Sequence, residues 1–208
     1  MRRTKEEAEA TRLCIMKKAL ALFAEKGIAA TSLSDIAQSA GVTRGAIYWH
    51  FKNKWDLFDG LWEHYASPLT KLGDASESEG EADPLGKFVE LMRLLLVSAE
   101  QDEDMRRLIT LYMRETAVLS NDELPVHMQE LELELHTRRV RALENAVRKG
   151  QLPRDLDVEA GSLLVKVMVD GLIIRWLRNP NCFSLSERAG QFIESIIAVL
   201  QHGARKRG

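Results

Sequence analysis

The sequence predicts an all-α protein. Apolar residues recur at i, i+3, i+4 and i+7 along most of the 208 residues, and caps and glycines stand where those periodic stretches begin and end. No run alternates apolar and polar residues as a half-buried strand does. About nine helices are expected, with short, closely spaced ones at the front and longer ones behind.

Residues 6–26 place Ala10, Leu13, Cys14, Met16, Ala19, Leu20, Leu22 and Phe23 at helical spacing, and Gly27 supplies the left-handed stop. Ser32 and Asp35 form a capping box that opens a short helix carrying Leu33, Ile36, Ala37 and Ala40. Gly41 ends it, and Thr43 caps a third helix from Arg44 to about Phe51. Asn53 caps a fourth, with Trp55, Leu57, Phe58, Leu61, Trp62 and Tyr65, which is expected to end near Pro68. Residues 73–83 are acidic, polar and aperiodic, and read as an exposed, mobile loop.

Asp83-Pro84 pairs a cap with proline at the first helical position, ahead of Phe88, Leu91, Met92, Leu95 and Leu96. A helix is expected from about 104 to 119, broken at Ser120-Asn121-Asp122, and another from about 124 to 149 with Leu131, Leu135, Val140, Leu143 and Val147. Asp157 caps a strongly apolar helix that stops at Asn179-Pro180, and Ser184 with Glu187 is a second capping box before the last helix.

Composition and charge narrow the function. The longest fully apolar run, Ile196 to Leu200, is five residues, against roughly 20 for a membrane span. The first residues, Met1-Arg2-Arg3-Thr4-Lys5, begin no apolar signal segment, so a cytosolic protein is expected. Cys14 and Cys182 are far apart in sequence and are expected as buried thiols. His50, His64, His127, His136 and His202 are scattered, with no metal-ligand spacing and no nucleophile or phosphate-loop motif. Neither metal, cofactor nor catalysis is expected. The net charge of −2 hides an asymmetry: residues 1–54 hold ten Lys and Arg against five Asp and Glu, and the remainder is acidic. A basic head on an acidic body suits a head that meets a polyanion, or simply a solvated surface.

The informative stretch is 31–54, TSLSDIAQSAGVTRGAIYWHFKNK. A short helix, a tight turn at Gly41 and a second short helix make a helix-turn-helix. Ile36, Ala37, Ala40, Val42, Ile47 and Phe51 can pack it together. The other face of the second helix keeps Thr43, Arg44, Gly45, Ala46, Tyr48, Trp49 and His50: a cation, two small residues and aromatics able to touch phosphates or thymine methyls.

This stretch resembles the signature of the TetR family, and VTRGAIYWHFKNK is similar to its AcrR-like branch, the multidrug efflux repressors. The opening RRTKEEAEATR and the segment VDGLIIRWL at 169–177 are similar to the same branch. The resemblance implies a helix-turn-helix domain over 1–54 and an effector-binding, dimerising domain over 55–208. It implies a dimer on double-stranded operator DNA, released by a hydrophobic small molecule, and control of an efflux operon. The alternatives are a regulator of another metabolic pathway, or a small-molecule-binding module that binds no operator.

Within that resemblance Arg44 is expected to read a guanine, and Gly45 and Ala46 to permit close approach. Tyr48, Trp49 and His50 face DNA, Ser32 and Thr43 hold phosphates beside their capping roles, and Lys54 is a phosphate-contacting lysine or an ordinary surface one. Arg2, Arg3 and Lys5 could form a basic arm. Trp62, His64, Tyr65, Phe88, Met92, Met113, His136, Met168 and Trp176 either line the effector pocket or are core. Arg114 and Glu115 either charge that pocket or face water. Leu163, Leu164, Val167, Leu172, Phe192, Ile193, Ile196, Ile197 and Leu200 lie on two helices that either form a four-helix dimer interface or bury within one subunit.

Overall fold

The computed structural model describes residues 5–116 and 125–206. Ten α-helices run in order among them: α1 (Lys5–Lys26), α2 (Leu33–Ala40), α3 (Arg44–His50), α4 (Lys54–Tyr65), α5 (Ser67–Glu77), α6 (Pro84–Gln101), α7 (Glu103–Thr116), α8 (Val126–Arg148), α9 (Val158–Arg178) and α10 (Leu185–His202). No strand occurs among the described residues; one isolated antiparallel bridge joins Leu156 and Arg205. The expected break at Ser120-Asn121-Asp122, the expected helix end at 119 and start at 124, and the arm residues Arg2 and Arg3 lie outside the described residues. Lys5 belongs to no arm: it is the first residue of α1.

The described residues fall into two compact units, one drawn from Met1–Ser67 and Asp104–Met128, the other from Pro68–Glu103 and Gln129–Gly208. In the first, α1 packs on α2 and α4, and α2 on α3. The buried stripe of α1 is Ile15, Met16, Ala19, Leu20 and Phe23. Leu13 and Cys14, expected inside, are exposed, as is Cys182, so neither thiol is a core residue. Ile36, Ala37, Ile47 and Phe51 are buried as the packing of the two short helices requires, while Ala40 and Val42 are half-buried. The caps at Ser32, Thr43 and Asn53 form as the sequence predicts, and Gly41 takes φ of 65°. The Gly27 stop has φ of 90°.

In the second unit α6 and α9 pack on each other and on α10. Phe88, Met92 and Leu96 of α6, Val169, Ile173 and Trp176 of α9, and Ile193, Ile196 and Leu200 of α10 fill its core. Asp157 caps α9. Ser184 caps α10 by accepting from the Glu187 N–H, and Glu100 of α6 accepts both the Ser184 hydroxyl (3.0 Å) and the Ser186 N–H (2.6 Å).

The tenth helix corrects the reading of 73–83 as a loop over 73–77 only; 78–83 are irregular, as expected. α5 continues through Glu77 and buries Gly73 and Ser76. Its ties come from α8. Arg138 reaches the carboxylates of Asp74 and Glu77. Asn145, wholly buried, donates to the carbonyls of Ser76 (3.0 Å) and Ser78 (2.8 Å). The end of α5, Gly73 to Glu77, carries little apolar surface to announce it, and tertiary polar contacts secure it there.

Candidate nucleic-acid interface

α2, Gly41 and α3 form the helix-turn-helix. Gly41 is left-handed, and its N–H closes on the carbonyls of Ala37 and Gln38. A Cβ there would meet nothing within 4 Å, so its backbone angle alone favours glycine. Thr43 holds the start of α3 by accepting from the Ala46 N–H at 3.2 Å. With Ile47 buried, α3 turns Arg44, Gly45, Tyr48 and Trp49 outward. Tyr48 is 50% and Trp49 73% exposed, a large aromatic area left open to solvent.

The Arg44 guanidinium lies over the Tyr48 ring, 5.7 Å from its centroid, and donates to the phenol oxygen at 3.3 Å. Trp49 and the half-buried His50 meet edge to face at 4.5 Å. A Cβ on Gly45 would meet only the Thr43 hydroxyl, at 3.9 Å. Ala46 beside it is half-buried. Packing within the chain therefore does not explain the glycine, whereas a surface approaching α3 would.

A cleft of about 450 Å³ runs from the α1–α2 loop to the start of α4 and brings together Ser32, Arg44, Tyr48 and Lys54. Thr43, Gly45, Ala46, Trp49 and His50 are not among its walls. Lys52, which the residue-by-residue reading passed over, is exposed on it; the FKNK run was its signal.

Two roles differ from simple expectation. Beside the two bonds of the capping box, the Ser32 hydroxyl donates to Asp35 at 2.7 Å. That bond, with the one from the Ser32 N–H, holds the Asp35 carboxyl below its ordinary range. What α2 can turn to an anion is its first-turn amides rather than that hydroxyl. Lys54 is neither free nor idle: it donates to the carbonyls of Ile28 (2.6 Å) and Ala29 (3.0 Å), which leaves one N–H of three for another acceptor.

The residues expected at an effector pocket divide between the units. In the first, Trp62 meets Tyr112 at 5.5 Å with the rings tilted, the Tyr65 hydroxyl reaches Asp104 at 3.5 Å, His64 is exposed and Met113 half-buried. In the second, Phe88, Met92 and Trp176 are buried and Met168 half-buried. His136 bridges the Glu159 carboxylate (2.8 Å) and the Ser162 hydroxyl (3.2 Å). Arg139, close by sequence on α8, has its guanidinium pKa lowered by burial, against the pull of Glu132 and Asp170. Arg114, exposed, donates to the Ala24 carbonyl in the last turn of α1, and the half-buried Glu115 accepts the Ile28 N–H just beyond it.

Of the residues expected at a dimer interface, Leu163 (58%), Leu164 (38%) and Val167 (60%) are exposed on α9. Leu172, Phe192 and Ile197 are half-buried. Ile193, Ile196 and Leu200 of α10 are buried in the core of their own unit, the second of the two alternatives the sequence left open. No group of three or more His, Cys, Asp or Glu is placed to hold a metal among the described residues, and no helix there is long and apolar enough to cross a membrane.

A helix-turn-helix with an exposed cation, a bare glycine and aromatics along its second helix defines a DNA-binding regulator. The chain belongs to the TetR family of bacterial regulatory proteins: that family's profile matches residues 15–61, and the profile of the C-terminal region of MAATS-type transcriptional repressors matches residues 83–202. It is 39% identical to the HTH-type transcriptional regulator TtgR of Pseudomonas putida over 97% of this chain and 96% of that one. Among solved structures it is similar to NalD, described as the secondary repressor of the MexAB-OprM multidrug efflux pump in Pseudomonas aeruginosa. That match has a TM-score of 0.76 and 30% identity, covering 96% of this chain and 100% of that one. It is also similar to SmeT in complex with triclosan, with a TM-score of 0.77 and 25% identity over 96% of each chain.

Proposed function

We propose that the protein is a ligand-responsive repressor that binds a palindromic operator as a homodimer in the bacterial cytoplasm, controls a multidrug efflux operon and is released by a hydrophobic small molecule. The observation that carries the DNA-binding reading is the outward face of α3, where Arg44, Gly45, Tyr48 and Trp49 stand exposed around a glycine that no neighbour in the chain requires. Arg44 reads a base edge, with a guanine its best partner. Tyr48, Lys54, Lys52 and the first-turn amides of α2 take phosphates, and Gly45 lets the helix come close to the groove floor.

Residues 1–54 serve as the DNA-binding domain and 55–208 carry effector binding and dimerisation. Two heads reading two half-sites require a two-fold partner, and the exposed Leu163, Leu164 and Val167 of α9 offer an apolar seat for it. The efflux assignment draws support from what NalD represses, and the effector class from the triclosan bound to SmeT.

The test is a gel shift of the purified protein on DNA upstream of its own gene, repeated with increasing triclosan as a representative hydrophobic phenol. A specific shifted band that dissolves as the phenol is added supports the reading. Binding that persists unchanged through a panel of hydrophobic drugs removes the effector claim, and the absence of any specific band removes the repressor.

A further inference from the structure

The α1–α2 junction is gripped from two sides by charged side chains that belong to neither helix. From α7, the Arg114 guanidinium donates to the carbonyls of Ala24 (3.0 Å) and Phe23 in the last turn of α1. A cation there also meets the negative end of the helix dipole. The Glu115 carboxylate, next along and only 14% exposed, accepts the N–H of Ile28 at 3.2 Å. From α4, Lys54 takes the carbonyls of the same Ile28 and of Ala29. Three successive peptide units are thus held, the first by α7 through the Ile28 N–H and the next two by α4 through the Ile28 and Ala29 carbonyls.

Gly27 makes room for the grip. Its φ of 90° suits glycine, and a Cβ there would stand 3.4 Å from both Arg114 Nη2 and Glu115 Oε1. Inside the loop, the buried Thr31 hydroxyl closes on the Gly27 carbonyl at 2.7 Å. Ser32, the cap of α2 and a wall of the DNA-facing cleft, follows at once. Little slack separates the Ile28 peptide from the groups assigned to phosphates. Glu115 lies within the stretch matched by the repressor C-terminal profile, outside the helix-turn-helix that it steadies.

We infer that Glu115 and Arg114 are positioning residues for operator binding: from α7 they fix the Ile28 N–H and so place the first turn of α2 and Lys54 for phosphate contact. The inference rests on the DNA-binding reading above. It makes the state of the last turn of α7 a determinant of affinity, although neither residue touches DNA.

Full-length Glu115→Ala, Glu115→Gln and wild type are compared by residue-resolved amide exchange and by operator titration across salt. The glutamine retains an oxygen that accepts from Ile28. In Glu115→Ala, exchange is expected to accelerate at least tenfold through 28–33, with the exchange of the buried helices and the melting temperature unchanged. Operator affinity falls about tenfold to a hundredfold, and the slope of log K against log salt becomes shallower by about one, the loss of one phosphate contact. Glu115→Gln stays near wild type. Arg114→Gln, which strips the charge from the end of α1 and leaves Glu115 in place, carries the same expectation if the alanine variant does not fold.

Acceleration confined to the Ile28 amide overturns the inference, as does an alanine variant with a freed loop and wild-type affinity and slope. Should the wild type bind no operator, the DNA-binding reading fails by itself. The exchange data then decide the positioning claim alone: spread to 28–33 supports it, and confinement overturns it.

Discussion

The Arg44 guanidinium donates to the Tyr48 phenol at 3.3 Å, one turn apart on the exposed face of α3. The bond holds a flexible cation over an aromatic ring before any ligand arrives, which lowers the side-chain entropy lost when it meets a base edge. Tyr48→Phe keeps the ring and removes only the hydroxyl, the acceptor for Arg44 and the group proposed to meet a phosphate. Operator affinity is expected to fall about twofold to tenfold, the worth of a single hydrogen bond, as read by fluorescence anisotropy. An unchanged affinity would mean that the pair is an incidental surface contact.

Gly45 separates folding from binding. Nothing in the chain crowds it, and alanine is the better helix former by up to about 1 kcal/mol. Gly45→Ala is therefore expected to leave the melting temperature equal or higher, and Gly45→Leu to bind operator at least tenfold more weakly while still folded. Calorimetry with anisotropy on the same samples checks both; a leucine variant that binds as the wild type does would remove close approach from the account.

The front of the molecule was largely legible in the sequence because its signals are local. Ser32 with Asp35, Gly41, Thr43 and Asn53 act within a turn of themselves, and the structure shows each in that role. What escaped depends on distant partners. The last turns of α5 carry little apolar surface and are tied by Arg138 and Asn145, more than sixty residues away. Arg114 and Glu115 read as a pocket charge or as surface because their partners, near residue 24 and at Ile28, stand about ninety positions back. The apolar stripes of α9 and α10 looked alike, but packing against α6 claims the one on α10 and leaves Leu163 and Val167 of α9 outside. Residues of an effector site share their types with core residues, so Phe88, Met92 and Trp176 could not be sorted by type.

The exposure of Val167 and the burial of Ile196 predict opposite outcomes for one substitution. Val167→Glu is expected to give a folded monomer with weakened operator binding, seen by sedimentation velocity. Ile196→Glu is expected to unfold the domain, since it places an unpaired charge in the core. A dimeric Val167→Glu protein would place the interface elsewhere.

Glu100 gives the fold a defined acid sensitivity. Burial raises its carboxyl pKa, but hydrogen bonds from Ser186, Ser184 and the Leu185 N–H outweigh burial and hold it below the ordinary glutamate value. The folded state thus favours the charged form. Its contribution is complete above the unfolded glutamate pKa of about 4.3 and is lost as pH falls through the depressed folded value. Urea unfolding across that window should show Glu100→Gln losing stability on acidification less steeply than the wild type. Parallel pH profiles would refute the assignment.

The central claim is that α3 reads operator DNA through Arg44, with the surrounding cleft on phosphates. It is tested most directly by anisotropy titrations of wild type and Arg44→Ala on a specific and a scrambled duplex over a range of salt. Log K is expected to fall linearly with log salt for both proteins. Arg44→Ala is also expected to lose about 1–3 kcal/mol of the preference for the specific duplex. Affinity that ignores salt, or a variant that discriminates as well as the wild type, would contradict the claim.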